Sequence, residues 1–321
     1  MTNAYQKLRD EVLSSVRLVA VEERFDLVFS RPLGLFFAKI AAKLNMTPTQ
    51  VSVASLLTGA VGGLMFLYQD NFQLTLIGCL LVVLAGVLDS SDGQLARMTN
   101  QGSELGRIID GIVDNLVFVA VYVSAVIYLA GTMDPWLAWT LGFMGGFAHS
   151  WKSAVYEMHK SEYFYYVGRF SSSRVHFAHE VKETFKRDTP FRKFVYAVYY
   201  DYCKKQEKNG FRPPEIREKF EKLAFNDKTR DKFVTLYEDA HQKTLYWWAW
   251  IGGTNVQRSA ILISLLFGRF DVFLTLNFLS LIPHYIAGNY QMKKDQQILA
   301  AIADEITTPG RSVELRSDEN N

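Results

Sequence analysis

Cysteine is nearly absent from this 321-residue chain. Cys79 lies inside an apolar run and Cys203 in a basic segment, too few and too differently set for a disulfide framework. No excess of either charge stands out: 35 Lys and Arg face 33 Asp and Glu, a net +2, which gives no basis for a nucleic-acid partner. The opening Met-Thr-Asn-Ala-Tyr-Gln-Lys has no apolar core of the signal-peptide kind, so the N-terminus is expected in the cytosol. No internal repeat is evident. What the chain does have is apolar length. Hydrophobic residues make up 49%, yet the mean hydropathy is only +0.01, because the charges cluster outside the apolar runs.

Six of these runs, at 49–68, 72–97, 105–131, 135–157, 244–268 and 271–292, are near the length a bilayer demands. The expected fold is therefore all-α, a polytopic membrane protein of six transmembrane helices. Phe25 to Leu44 mixes Phe, Leu and Ile with Arg31, Lys39 and Lys43, the composition of a helix lying in the interface. Thr47-Pro48 then offers an N-cap followed by proline at the first helical position. The loops show one polarity. Gln69-Asp70-Asn71 and 131–134 hold no Lys or Arg, and the third such connection holds only Arg269. Seven cations precede the first span, twenty lie in 152–243, and Lys293, Lys294, Arg311 and Arg316 come after the last. Basic residues stay on the cytoplasmic side, which puts both termini, the loop after 97 and the large insertion in the cytoplasm. The expected domains are 1–48 cytoplasmic and interfacial, 49–157 spans one to four, 158–243 a cytoplasmic helical insertion, 244–292 spans five and six, and 293–321 a tail that is polar and disordered after Thr307.

Four carboxylates interrupt the second and third spans. Asp89 and Asp92 are three apart, with Ala96 seven from Asp89, so these share one helix face; Gly106, Asp110 and Asp114 recur every four on the next helix. At about 1.5 Å per residue, Asp89 and Asp114 each lie about 26 Å from the opposite face, at matching depth near the cytoplasmic boundary. Ionisable groups among apolar helices are expensive and mark function. Four acids together repel one another unless cations sit among them, and oxygen-only donors suit Mg²⁺ or Mn²⁺ rather than zinc. Singly, each position has a bland reading: Asp92-Gly93 as a turn dipeptide, Arg97 as an interfacial anchor, Gly106 as close helix packing. Arg107 is an ordinary interfacial cation on the same logic.

The whole pattern, Asp89-x-x-Asp92-Gly93-x-x-Ala96-Arg97-x8-Gly106-x3-Asp110-x3-Asp114, resembles the signature of the CDP-alcohol phosphotransferase family at all eight specified positions. The resemblance implies transfer of a substituted phosphate from a CDP-linked donor to an acceptor hydroxyl, with release of CMP, in phospholipid or related lipid biosynthesis. It implies Asp89, Asp92, Asp110 and Asp114 around two divalent ions, with Asp114 also the general base. It implies CDP binding at Gly93, Ala96, Arg97 and Gly106. Many members have Pro-Asn where this chain has Pro48-Thr49, so a nucleotide contact through that Asn is not carried over. The partners expected are the donor, a lipid or polar alcohol acceptor and membrane lipids, and a homodimer is compatible with this.

Candidate acceptor or headgroup residues are His149 on the fourth span, Asn255, Gln257 and Arg258 on the fifth, and His284 on the sixth. Arg258 needs a polar cavity or an anion at that depth, either a substrate group or one of the aspartates. In the insertion, Phe191, Phe194, Val195, Val198, Tyr199 and Tyr202 share a broad helical face, Pro213-Pro214 breaks the helix, and a charged helix runs from about Glu215 to Ala240. A self-packed helical hairpin, or a lid, partner site or membrane paddle, both fit. An ion-coupled transporter would require paired broken helices near the midplane. A decayed scaffold would be missing an aspartate. CDP-lipid and CDP-amino alcohol donors both remain open.

Overall fold

A computed structural model describes residues 6, 10–13, 23, 25–184 and 189–303, and these form helices with no strand among them. A π-helical turn at Asp26–Ser30 leads into α1 (Arg31–Lys43), and Asn45 takes a left-handed φ of 53° to end it. Thr47 caps α2 (Pro48–Met65) as expected: its hydroxyl accepts from Gln50 N–H while the Gln50 side chain accepts from Thr47 N–H, and Pro48 opens the helix. A 3₁₀ turn, Phe66–Tyr68, extends it. Asn71 caps α3 (Phe72–Met98), and Ser103 caps α4 (Glu104–Thr132). α5 (Pro135–Tyr166) is succeeded by α6 (Ala178–Thr184), α7 (Pro190–Asn209), α8 (Pro214–Ala224), α9 (Arg230–Gly252), α10 (Thr254–Leu266), α11 (Phe270–Leu279) and α12 (Leu281–Ala301).

Four helical segments are long and apolar enough to cross a membrane: Pro48–Tyr68, Phe72–Met98, Glu104–Thr132 and Phe270–Ala301. Among the described residues these account for four of the six expected spans. The stretch 135–157 lies in a helix that continues to Tyr166 through Lys152, Glu157, His159, Lys160 and Glu162, and this polar content dilutes its hydropathy. The stretch 244–268 is divided at Gly253 between α9 and α10, and neither piece offers a long apolar window. The charged helix expected from Glu215 to Ala240 is likewise two helices. The Asn226 side chain accepts from Lys228 N–H at 3.0 Å, a local turn that stops α8 and lets α9 begin. The region after Thr307 is outside the described residues.

The chain divides into two compact units, 1–149 with 255–279, and 150–254 with 280–321. In the first, α2 packs on α3 and α4 through small residues. A Cβ at Gly62 would come within 2.9 Å of the Gly78 carbonyl, and one at Gly63 within 2.9 Å of Val121 N, so these backbones touch where only glycine fits. The apolar core combines Phe66, Val82, Val121, Ala125, Ile261, Leu265, Phe270 and Leu274. Asn277 is buried and donates to the Gly145 carbonyl at 2.8 Å, linking α11 to α5.

The second unit is organised around buried charge. Arg212 donates to both oxygens of Asp295 at 2.7 and 2.8 Å, to Tyr237 Oη at 3.0 Å and to Glu162. Arg217 Nε donates to the other Glu162 oxygen at 2.8 Å, and His241 Nε2 lies 2.9 Å from Asp295. The aromatic rings of Tyr166, Phe220, Phe233 and Tyr237 enclose this network. Each ion is paired and hydrogen-bonded, the condition for keeping charge inside a protein. α12 therefore runs beyond residue 292, because Asp295 on it is part of this core. Cys79 and Cys203 are both buried free thiols.

Candidate active site

The connection from Thr99 to Ser103 is short, and Asn100 adopts φ 52° within it, so the end of α3 turns directly into the start of α4. This brings the two carboxylate pairs together. One oxygen from each of Asp89, Asp92 and Asp110 falls within 4.8 Å of the others. Asp110 is within hydrogen-bonding reach of both Asp89 and Asp92. Asp114, one turn further along α4, is outside that trio but close enough to act electrostatically on Asp92 and Asp110. Asp92 is buried, while Asp89, Asp110 and Asp114 are half-buried.

The donor set fits a hard divalent ion. All three groups offer oxygen, and Oδ1 of Asp89 and Oδ1 of Asp110 are buried with no hydrogen-bond partner among the described residues. A buried carboxylate oxygen left without a donor is costly, and a cation is the natural way to satisfy it.

Ser52 was not legible as a site residue from the signature. Its hydroxyl donates to Asp92 Oδ2 at 2.5 Å, which fixes that carboxylate from α2. The signal was there: Ser52, Ser55, Gly59 and Gly62 keep helical spacing down one face of α2, all buried. Gln94 Nε2 donates to the Arg31 carbonyl at 3.1 Å, tying α1 to α3, and the Arg31 charge reaches Asp89.

The two signature glycines are not used to bring helices together. A Cβ at Gly93 would meet only Arg97 Nη1, at 3.5 Å, and one at Gly106 only the capping Ser103 Oγ, at 2.9 Å. Arg97 thus folds back toward Gly93 and toward the carboxylates' own helix face, half-buried as is Ala96. Gly106 N–H donates to Ser103 Oγ at 3.0 Å, so this glycine belongs to the helix cap.

Arg258 on α10 reaches the same region. Its guanidinium lies against α3 at Gly86, where an added Cβ would be 2.0 Å from Nη1, and its Cζ is 5.9 Å from the Phe118 ring centroid. It is near enough to Asp89 for the two opposite charges to attract. With Asn255, Ser259 and Ser30 it lines a small recess whose apolar walls include Phe25, Phe29 and Val83. Asn255 Nδ2 also donates to Glu23 at 2.9 Å, and Gln257 is buried. The other two candidates lie elsewhere. His149 Nδ1 is 3.1 Å from Tyr122 Oη with Phe118 against its ring, and His284 belongs to the second unit, among Trp151, Phe211 and Trp248.

Clustered carboxylates thus lie on two helices long and apolar enough to cross a membrane, with an arginine-lined recess in the same unit, a donor set that suits a hard divalent ion. Residues 45–158 match the family model described as CDP-alcohol phosphatidyltransferase, so this stretch is similar to that family's domain. A putative cardiolipin synthase of Mycobacterium tuberculosis is 41% identical over 64 residues, 20% of this chain and 30% of that protein. The CDP-diacylglycerol--glycerol-3-phosphate 3-phosphatidyltransferase of Cereibacter sphaeroides is 37% identical over 97 residues, 28% of this chain and 40% of the relative. An uncharacterized protein of Aquifex aeolicus is 35% identical over 83 residues, covering 26% of this chain and 38% of its own. The chain thus spans less than half the length of these curated relatives.

Proposed function

We propose that this protein is a membrane phosphotransferase that moves a substituted phosphate from a CDP-linked donor to an acceptor hydroxyl, releasing CMP, as a step in phospholipid or related lipid biosynthesis. The observation that carries this reading is the trio Asp89, Asp92 and Asp110, with its two unpartnered buried oxygens, in the matched family domain. The activity in the name of the Cereibacter relative favours CDP-diacylglycerol as donor. That both α3 and α4 are unbroken helices supports an enzyme over an ion-coupled transporter.

Asp89, Asp92 and Asp110 would hold Mg²⁺ or Mn²⁺, two ions in this reading, which when bound neutralise the pyrophosphate and the charge developing on departing CMP. Ser52 keeps Asp92 oriented toward that site. Gly93, Ala96 and Gly106 would border the nucleotide, and Arg97 would supply a forked cation to its phosphates. Asp114, outside the trio, would take the proton from the acceptor hydroxyl. Arg258 and Asn255 hold an anionic acceptor headgroup in the recess, while Arg258 also balances Asp89. The cytoplasm is the side proposed for the active site and both termini, where the basic residues gather.

The test is CMP release by the purified protein with a panel of CDP-linked donors and acceptors, with and without a divalent cation. Release with one donor–acceptor pair that disappears on chelation is expected. Release that persists after rigorous chelation would overturn the metal assignment, and no release from any CDP-linked donor would overturn the reaction.

A further inference from the structure

The outer side of α7, in the second unit, is unlike the surface of a water-soluble helix. Phe191 is 63% exposed, Phe194 64% and Val198 39%. Their spacing of three and then four residues sets them within about 60° of arc, on one stripe over the first two turns. The neighbouring side of the helix is already occupied, with Val195, Tyr196, Cys203 and Gln206 buried. The broad apolar face read from the sequence is therefore covered along one edge and open along the other.

Toward its C-terminal end the outer side of α7 turns cationic. Lys205 continues the stripe and Lys208 borders it, with the exposed Lys193 and Lys204 further round the helix, against one exposed acid, Asp201, which pairs with Lys205 at 2.6 Å. Aromatic residues placed next to a run of lysines match a surface with an apolar interior and anionic headgroups. The same unit carries further exposed residues of the membrane-interface type on α9, Tyr246, Trp247 and Trp250. Thr189 and Pro190 start α7 abruptly, with the Thr189 hydroxyl accepting from Arg192 N–H at 3.5 Å, so the stripe begins at a defined helix end.

We propose that α7 is a membrane-docking helix, which lays Phe191, Phe194 and Val198 into the headgroup boundary of a bilayer containing anionic lipid while its lysines meet the headgroups. The insertion would then have a lipid contact of its own.

The experiment uses the full-length protein in nanodiscs of phosphatidylcholine with phosphatidylglycerol. An environment-sensitive fluorophore is attached to Phe194→Cys, and to Lys219→Cys on exposed α8 for comparison; the native thiols are buried. A blue-shifted emission at 194, quenched when the lipids are brominated in the upper acyl chain, is expected, with neither effect at 219. The quenching should weaken in discs lacking phosphatidylglycerol and in the Lys204→Glu/Lys205→Glu/Lys208→Glu variant. Labels at Phe191→Cys and Val198→Cys provide the same reading if one site labels poorly. Emission at 194 as unshifted as at 219 would overturn the proposal. A blue shift that brominated lipid does not quench and that grows with protein concentration would overturn it in favour of contact between copies.

Discussion

Substituting Gly86 by alanine separates function from fold at this site. The new Cβ would stand 2.0 Å from Arg258 Nη1 and 2.5 Å from its Cζ, whereas ordinary contact begins near 3.4 Å, so the guanidinium has to retreat by about 1.4 Å. The end of an arginine can make that move, since no backbone atom is in the way. The helix itself gains about 1 kcal/mol from alanine in place of glycine, which offsets the displaced contact, so the melting temperature should hardly change. The active site does not adapt as easily. A displacement of about 1 Å in a positioning group costs about 100-fold in rate, equivalent to about 2.7 kcal/mol of transition-state stabilisation. The prediction is therefore a fall of about two orders of magnitude in kcat/KM for the acceptor, with an unchanged melt in detergent. Gly62→Ala is the contrast: its Cβ meets the Gly78 carbonyl and Leu81 Cβ, both at 2.9 Å, and a backbone cannot yield, so stability should drop by about 1–3 kcal/mol. The assay is CMP release titrated against acceptor in Gly86→Ala, Arg258→Ala and the double variant. If the effect runs through Arg258, adding Gly86→Ala to Arg258→Ala should do nothing more. Full activity in Gly86→Ala, or an equal loss in the Arg258→Ala background, would refute the reasoning.

Asp114→Asn should keep donor affinity and lose turnover, while Asp89→Asn should lose both, as read from parallel donor titrations and CMP release. In the second unit, Arg212→Met strips the guanidinium from Asp295, leaving it His241 alone, and from one Glu162 oxygen, and should lower stability by about 3–5 kcal/mol, seen as a lower melting temperature. Burial, reinforced by the Arg212 charge, holds the His159 imidazole well below its ordinary 6.5, so the unfolded chain binds the extra proton there. The stability it contributes is present above about pH 6.5 and drains as the pH falls, and His159→Gln should flatten the acid limb of melting temperature against pH. For topology, Cys203 is buried and unsuited to labelling, so cysteines at Lys219 and Asn71 serve instead. In sealed cells an impermeant reagent should reach position 71 and not position 219.

The sequence by itself determined the helical class, the Thr47-Pro48 helix start and the identity of the carboxylates, because these depend on local spacing: apolar length, a capping pair, and acids three and four apart on adjacent helices. Hydropathy reads six spans, of which four lie in helices long and apolar enough to cross a membrane, while 135–157 belongs to a helix that continues to Tyr166 and 244–268 is divided at Gly253, bounds that only the structure shows. The site shows the same division. Asp89, Asp92 and Asp110 were legible together, whereas Ser52 beneath Asp92 and Gly86 beneath Arg258 were not, since each matters through a partner about 40 or about 170 residues away. Arg258 was open between substrate and aspartate on sequence grounds, and tertiary packing alone put it both beside Asp89 and on the wall of the recess. The broad aromatic face of α7 divided for the same reason: helical periodicity says which residues share a side, but only the neighbours decide which side is covered.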